Sequence, residues 1–333
     1  MSINYLYFIP IYILIFIMIY YLSNYLNLVD KPNIRKKHKV KSFYTGGICI
    51  ALAFYLSIKF FSFEINLSKI FFYSSIFLIL GFIDDCKSIK TGNKLIWQIF
   101  IIYILINQGF VIQDLGKFNF GMLALGEFGF VFTFICVLLI INSFNYTDGI
   151  DHLASSIFIT TIFTLFLINE KILFENLDFF INLLFILIIF SFFNKGIFLK
   201  YKVFLGNGGS MMLGCFLAFL CIYITQISKY IHPSQLIWSL AYLVFEFNTI
   251  FLNRIILKQK VTRPGRDHLH YILLGIGFKR ISVLFLINFL IVFFYFIGNL
   301  IFNKFGPIMS LVFFVLFQLI YFLYWFKLKK WKS

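Results

Sequence analysis

Eleven runs of apolar residues follow one another along this chain, most of them as long as a bilayer's hydrocarbon core demands. Their limits are about 4–24, 44–61, 68–83, 95–106, 128–142, 153–169, 177–193, 208–225, 235–253, 281–299 and 308–326. About 20 apolar residues in a helix make one crossing, and the fourth and fifth runs are the shortest. The expected fold class is therefore an all-α polytopic integral membrane protein with about eleven transmembrane helices. It reads as a single multi-span membrane domain over residues 1–333. Composition excludes the rival classes: 61% of residues are hydrophobic and 13% charged, against about half and a quarter in soluble domains. A soluble enzyme, a disordered chain, a collagen and a coiled coil are all ruled out. The first run lacks a basic leader and is too long for the core of a cleavable signal, so none is expected.

Placing the amino terminus outside puts the Lys and Arg residues on inside loops, at about 25–43, 84–94, 143–152, 194–207 and 254–280, and on the carboxyl tail. Only Lys59, Lys69, Lys117, Lys171, Lys229 and Lys304 of the 29 fall outside. This asymmetry is the positive-inside pattern, and it makes the net charge of +16 a statement about orientation; no nucleic-acid partner is expected. Asp30, Asp84, Asp85, Asp148, Asp151 and Asp267 gather on the same inside face, whereas Asp114 and Asp178 do not. Carboxylates near a bilayer are costly unless paired, solvated or metal-bound, so chemistry is expected on that face. The five cysteines show no paired short spacing, which argues for neither a disulfide framework nor a zinc site.

Four motifs carry that chemistry. The third run ends in Gly81-Phe-Ile-Asp84-Asp85-Cys-Lys-Ser. Adjacent carboxylates raise each other's proton affinity unless a cation lies beside them, and at a helix C-terminus they oppose the dipole. Mg2+ takes one or two carboxylates plus water and substrate phosphates; a solvated helix end is the plain alternative. The second motif is Asn142-Ser-Phe-Asn145-Tyr-Thr-Asp148-Gly-Ile-Asp151-His-Leu, whose Asn and Asp pairs each have the three-residue spacing of one helix face. Capping by Asp148 and helix-joining by the Asn residues are its plain alternatives. Third, Phe204-Leu-Gly-Asn207-Gly-Gly-Ser210 opens the eighth run, where free N–H groups suit phosphate; Gly-Gly-Ser is also ordinary punctuation. Fourth, Arg263-Pro-Gly-Arg266-Asp-His268-Leu-His270 sits in the most basic inside loop, where Arg and His can balance phosphate charge.

In this order the motifs, with Leu28-Val-Asp30-Lys31-Pro-Asn33-Ile-Arg-Lys-Lys-His38 and Gly46-Gly47 before them, resemble the bacterial polyprenyl-phosphate N-acetylhexosamine-1-phosphate transferases of glycosyltransferase family 4. The resemblance spans roughly residues 28–280 and is nearest to the undecaprenyl-phosphate N-acetylglucosamine-1-phosphate transferases, with the phospho-N-acetylmuramoyl-pentapeptide transferases in the same superfamily. It implies an enzyme that moves GlcNAc-1-phosphate, or a related N-acetylhexosamine-1-phosphate, from a UDP-sugar to undecaprenyl phosphate. UMP is released and a lipid-linked surface polysaccharide, such as an O-antigen, is begun. It implies Mg2+, with Mn2+ as the alternative ion, and a place in the bacterial plasma (inner) membrane with the active site on the cytoplasmic face. Asp84, Asp85, Asp148 and Asp151 are then the catalytic acids, and Asp84, Asp85, Asp148 and Asn207 the metal ligands. Lys31, Asn33, His38, Asn142, Asn145, Arg266, His268 and His270 are the substrate-binding residues. Membrane lipids and a second copy of the chain complete the candidate partners.

Three positions depart from the family pattern. Asn207 stands where the family usually has Asp, His152 where it has Gly, and Tyr271 where it commonly has a further His. A transporter would place carboxylates along a pathway across the bilayer; here only Glu246 is clearly mid-span. An inactive homologue that scaffolds glycan assembly is the other rival reading.

Overall fold

The computed structural model describes residues 5–30, 42–197, 199–261 and 265–332. Lys31, Asn33, His38 and Arg263, named above from the sequence, lie outside these residues.

Helices dominate the described chain, and each of the eleven apolar runs falls on helix. Among the described residues, seven helices are long and apolar enough to cross a membrane: Phe8–Tyr25, Ile65–Cys86, Phe128–Thr147, Leu177–Lys195, Gly206–Ile227, Pro233–Ile256 and Arg280–Trp331. Gly46–Phe60 and Leu153–Ile168 are shorter apolar helices. The last of the seven has 52 residues, or about 78 Å at the usual rise, and carries both of the final two runs. It turns at Gly306, whose φ of 80° suits a residue without Cβ, and Pro307 restarts the helix where its missing N–H costs nothing.

Two boundaries differ from the sequence reading. The helix Phe128–Thr147 continues through Asn142 and Asn145 instead of ending in a loop at 143. Polar residues ended the apolar run without ending the backbone hydrogen bonding. The segment after the fourth run holds an antiparallel hairpin of Asp114–Phe118 and Gly121–Ala124, too short and too polar at its start to stand out.

The chain forms two compact units, Met1–Ile101 with Leu173–Phe216, and Ile102–Ile172 with Leu217–Ser333. In the first, the helices Phe8–Tyr25, Gly46–Phe60 and Leu177–Lys195 pack on one another. The Tyr12 hydroxyl lies 2.6 Å from Ser57 Oγ and donates to Asn182 Oδ1 at 2.5 Å, joining all three. Buried in apolar surroundings, these groups would be costly without partners. A three-stranded sheet adds Val29–Asp30 antiparallel, and Lys202–Val203 parallel, to Ser42–Phe43. The pairing continues as Phe204 N–H donates to Phe43 O, Gly46 N–H to Phe204 O and Gly47 N–H to Leu205 O. That ladder sets the first turns of Gly46–Phe60 and Gly206–Ile222 side by side.

In the second unit, Phe128–Thr147 packs on Ala241–Ile256, and Arg280–Lys332 packs on Leu153–Ile168, Ala241–Ile256 and the short helix Leu269–Ile276. Ser143 Oγ donates to Leu243 O, Asn288 bridges Ser156 and Thr160, and Trp238 Nε1 donates to Ser310 Oγ. Such polar ties between helices do work that apolar contact cannot do inside lipid.

Candidate active site

Asp84 and Asp85 lie in the last turn of Ile76–Cys86, the negative end of that helix dipole. The first unit compensates them from three sides. Asp84 Oδ1 accepts the Ile89 N–H at 2.9 Å and its Oδ2 meets Lys94 Nζ at 2.9 Å. Asp85 Oδ2 accepts the Asn207 N–H at 2.9 Å, so a carboxylate sits at the positive start of the Gly206–Ile222 helix. The Asn207 side-chain amide then donates to Asp85 Oδ1 at 2.8 Å and to Asp84 Oδ2 at 3.2 Å. The acidic pair and the glycine-rich turn, 122 residues apart, form one cluster.

Glycine makes that approach feasible. Gly206 has φ +76°, and a Cβ there would meet Tyr44 O at 2.7 Å and Asp85 Oδ2 at 2.9 Å. At Gly81 a Cβ would fall 2.2 Å from the Gly208 nitrogen, inside backbone that cannot yield.

The second unit assembles the other motifs. Asn142 turns its amide back to Leu138 O at 2.8 Å, and Asn145 lies one turn further on, where its backbone carbonyl accepts the Asp148 N–H. Gly149 lies against the histidine segment: a Cβ there would meet the Tyr271 hydroxyl at 2.5 Å and His270 Nε2 at 2.7 Å. His270 stacks near Tyr271, ring centroids 4.2 Å apart, and parallel to His268 at 5.6 Å. The Arg266 guanidinium lies over the Tyr271 ring at 5.7 Å. Burial raises the pKa of the Tyr271 hydroxyl, the Arg266 charge opposing and the Asp148 charge adding to the rise. Asp148, Arg266, His268, His270 and Tyr271 thus share one neighbourhood. Asp151 instead pairs with the exposed Arg280 at 3.4 Å, a contact of the kind that is worth little in water.

Arg254, an unanticipated member, is buried and forks onto both oxygens of Asp267 at 2.9 and 3.0 Å while donating to Val261 O. Burial alone would raise the Asp267 pKa; hydrogen bonds and charge from Arg254, with a further share from His268, hold it below the ordinary 3.8. The clamp fixes the loop just before the histidines. Lys94 was also missed. It read as one more inside-loop charge, although its place ten residues after Asp84 was a usable signal.

Residues 67–225 match the model of glycosyl transferase family 4. Over those residues the chain is similar to glycosyl transferase family 4. It is 26% identical over 316 residues to the undecaprenyl-phosphate α-N-acetylglucosaminyl 1-phosphate transferase of Escherichia coli K12, covering 92% of this chain and 85% of that one. The enzyme of the same name from Salmonella typhi is 27% identical, with the same shares covered. A probable undecaprenyl-phosphate N-acetylglucosaminyl 1-phosphate transferase of Bacillus subtilis is 26% identical, over 89% of this chain and 82% of its own. With its membrane-length helices, the chain is a multi-pass membrane protein.

One departure from the family pattern has a backbone explanation. His152, at the family's Gly position, has φ +68°, a left-handed conformation that costs an L-residue about 1–2 kcal/mol. His152→Gly is expected to raise thermal stability, by up to about 1 kcal/mol once glycine's unfolded-state entropy is subtracted. Thermal unfolding of the detergent-solubilised variant checks this; a loss of stability would mean that the imidazole's contacts outweigh the strain.

Proposed function

We propose that this chain transfers GlcNAc-1-phosphate from UDP-GlcNAc to undecaprenyl phosphate at the cytoplasmic face of the bacterial inner membrane. A phosphate oxygen of the lipid attacks the β-phosphorus of the UDP-sugar, the bond from that phosphorus to the bridging oxygen breaks, and UMP leaves. The product is undecaprenyl diphosphate-GlcNAc. The observation that carries this reading is the cluster of Asp84, Asp85 and Asn207 in a chain resembling, along nine-tenths of its length, enzymes of that activity. Phosphoryl transfer needs little from a protein beyond positioning and neutralisation of oxygen charge.

The donor atoms available fit Mg2+, a hard ion that accepts one or two carboxylates and completes its shell with water and phosphate. Asp84 and Asp85 supply those carboxylates, and Asn207 carries an amide oxygen beside them. Among the described residues, no three His, Cys, Asp or Glu side chains converge as a closed metal site, which suits an ion shared with substrate. When bound, Mg2+ would offset negative charge on the phosphate oxygens. Lys94 adds a fixed positive charge at Asp84. In the second unit, Asp148 with Arg266, His268 and His270 would meet the nucleotide and diphosphate, and Asp151 would support them.

Radiolabelled UDP-GlcNAc with undecaprenyl phosphate tests the reading. Labelled lipid should appear in step with UMP and require Mg2+; with no labelled lipid from any UDP-N-acetylhexosamine, the proposal fails.

Asn207 sets the metal requirement. Its amide donates to both carboxylates, which satisfies them without an ion; a carboxylate in its place would repel them and draw Mg2+ more strongly. Asn207→Asp should therefore lower the Mg2+ concentration for half-maximal activity. Asn207→Ala, which takes away the amide oxygen that would complete the ion's shell, should raise it. An unchanged requirement in both variants would place the ion elsewhere.

The orientation is testable separately. In a Cys86→Ser background, cysteines at Asn119, in the outer hairpin, and at Ser333 should react with impermeant reagents from opposite sides. Labelling of both from one side would overturn the outside amino terminus.

A further inference from the structure

We propose that Glu246 is a positioning residue that sets the proton and orientation of His268; the inference rests on the reading above, in which His268 meets the diphosphate. Glu246 is 2% exposed on the helix Ala241–Ile256, whose own sequence gives it no basic neighbour until Arg254. An unpaired carboxylate in such a place is costly, so the destination of its oxygens is informative. Oε2 accepts the Tyr321 hydroxyl at 2.6 Å. Oε1 accepts the backbone N–H of Leu269 at 2.7 Å and lies 3.5 Å from His268 Nδ1.

Leu269 begins the helix Leu269–Ile276, and its N–H is one that a helix cannot bond internally. The carboxylate therefore anchors the peptide between His268 and His270 while standing at the positive end of that helix. The His268 ring is confined by Tyr146, with centroids 4.9 Å apart, and by the parallel ring of His270. In a ring held this way, the charge beside Nδ1 decides where the proton sits. Glu246 keeps it on Nδ1, and Nε2 becomes the nitrogen available to a phosphate oxygen. Carboxylates behind functional imidazoles act in this way elsewhere, fixing tautomer and ring orientation.

The test uses the full chain in detergent, labelled with 15N-histidine and assigned by His268→Gln. Glu246→Gln keeps the acceptor for Leu269 and the side-chain size but removes the charge. It should move the His268 signal away from the Nδ1–H tautomer. It should also lower kcat about tenfold or more while leaving KM for the UDP-sugar within about twofold. Glu246→Asp retains the charge and should recover both the Nδ1–H signal and more turnover than the amide variant. It also serves as the test pair with wild type if the amide variant does not fold. An unchanged His268 spectrum in Glu246→Gln overturns the proposal. So does a shifted spectrum with turnover near wild type, or an Asp variant whose spectrum departs from wild type as far as an uncharged one would. The spectrum is read without substrate. A wild-type protein inactive on every UDP-sugar would thus sink the functional reading alone, while the tautomer still decides the role of Glu246.

Discussion

Asp85→Asn abolishes turnover in a protein that still folds: this is the largest effect expected of a single-atom change, a loss in kcat of about 10²- to 10³-fold or more. The native carboxylate takes the Asn207 backbone N–H on one oxygen and the Asn207 amide on the other. An amide at position 85 can accept from only one of them and turns its own N–H₂ toward the second donor. The start of the Gly206–Ile222 helix then loses an acceptor, which costs about 1–3 kcal/mol if the N–H stays buried, and the proposed Mg2+ site loses a charged donor. Solubilised protein should keep its size-exclusion profile and a melting transition within reach of wild type. Turnover within a few-fold of wild type would remove Asp85 from the metal and phosphate chemistry.

Gly81→Val is expected to damage both stability and activity, and the two losses should appear together. Its Cβ would overlap the Gly208 nitrogen at 2.2 Å and the Gly208 Cα at 2.3 Å. Both partners are backbone, so no rotamer change relieves the clash. The acidic helix must withdraw from the glycine-rich turn, carrying Asp84 and Asp85 away from Asn207. Overpacking of this kind costs about 1–3 kcal/mol or more, and the cluster is lost regardless of the fold's survival. Gly92→Ala is the control, because nothing lies within 4 Å of its added Cβ. Equal thermal stability and activity in the Gly81 and Gly92 variants would show that the helix and turn are not in tight contact.

The comparison of sequence and structure divides along a physical line. Lipid permits few backbone arrangements, so apolar runs announced the helices, including the paired runs within Arg280–Lys332. Asp84, Asp85 and Asn207 were legible because polar residues at the end of a membrane helix need a reason. Gly81 was not, since a glycine in an apolar run looks like filler until the opposing Gly208 is known. Lys94 looked like one of many inside lysines, and its ion pair with Asp84 depends on how the helix Thr91–Asn107 begins. Glu246 stood out only as the one clearly mid-span acid, too little for a transporter's pathway. Its partners Leu269 and Tyr321 lie 23 and 75 residues away, beyond the reach of local pattern. The helix was ended at Asn142, and Asn145 placed in a loop, because hydropathy stops before the helix Phe128–Thr147 does.

The separation of Asp85 from Asn207 also bears on how the protein is made. A chain entering the membrane from its amino end delivers the acidic pair 122 residues before its partner, and the whole segment Ile102–Ile172 of the other unit is inserted meanwhile. Until residue 207 arrives, no glycine-rich turn exists to receive the two carboxylates, and Lys94 offers charge to Asp84 from within the chain already made. Contacts of such sequence separation close late. A ribosome stalled before Gly206 therefore leaves the amino-terminal helices in the bilayer with an acidic pair that still lacks its Asn207 donors.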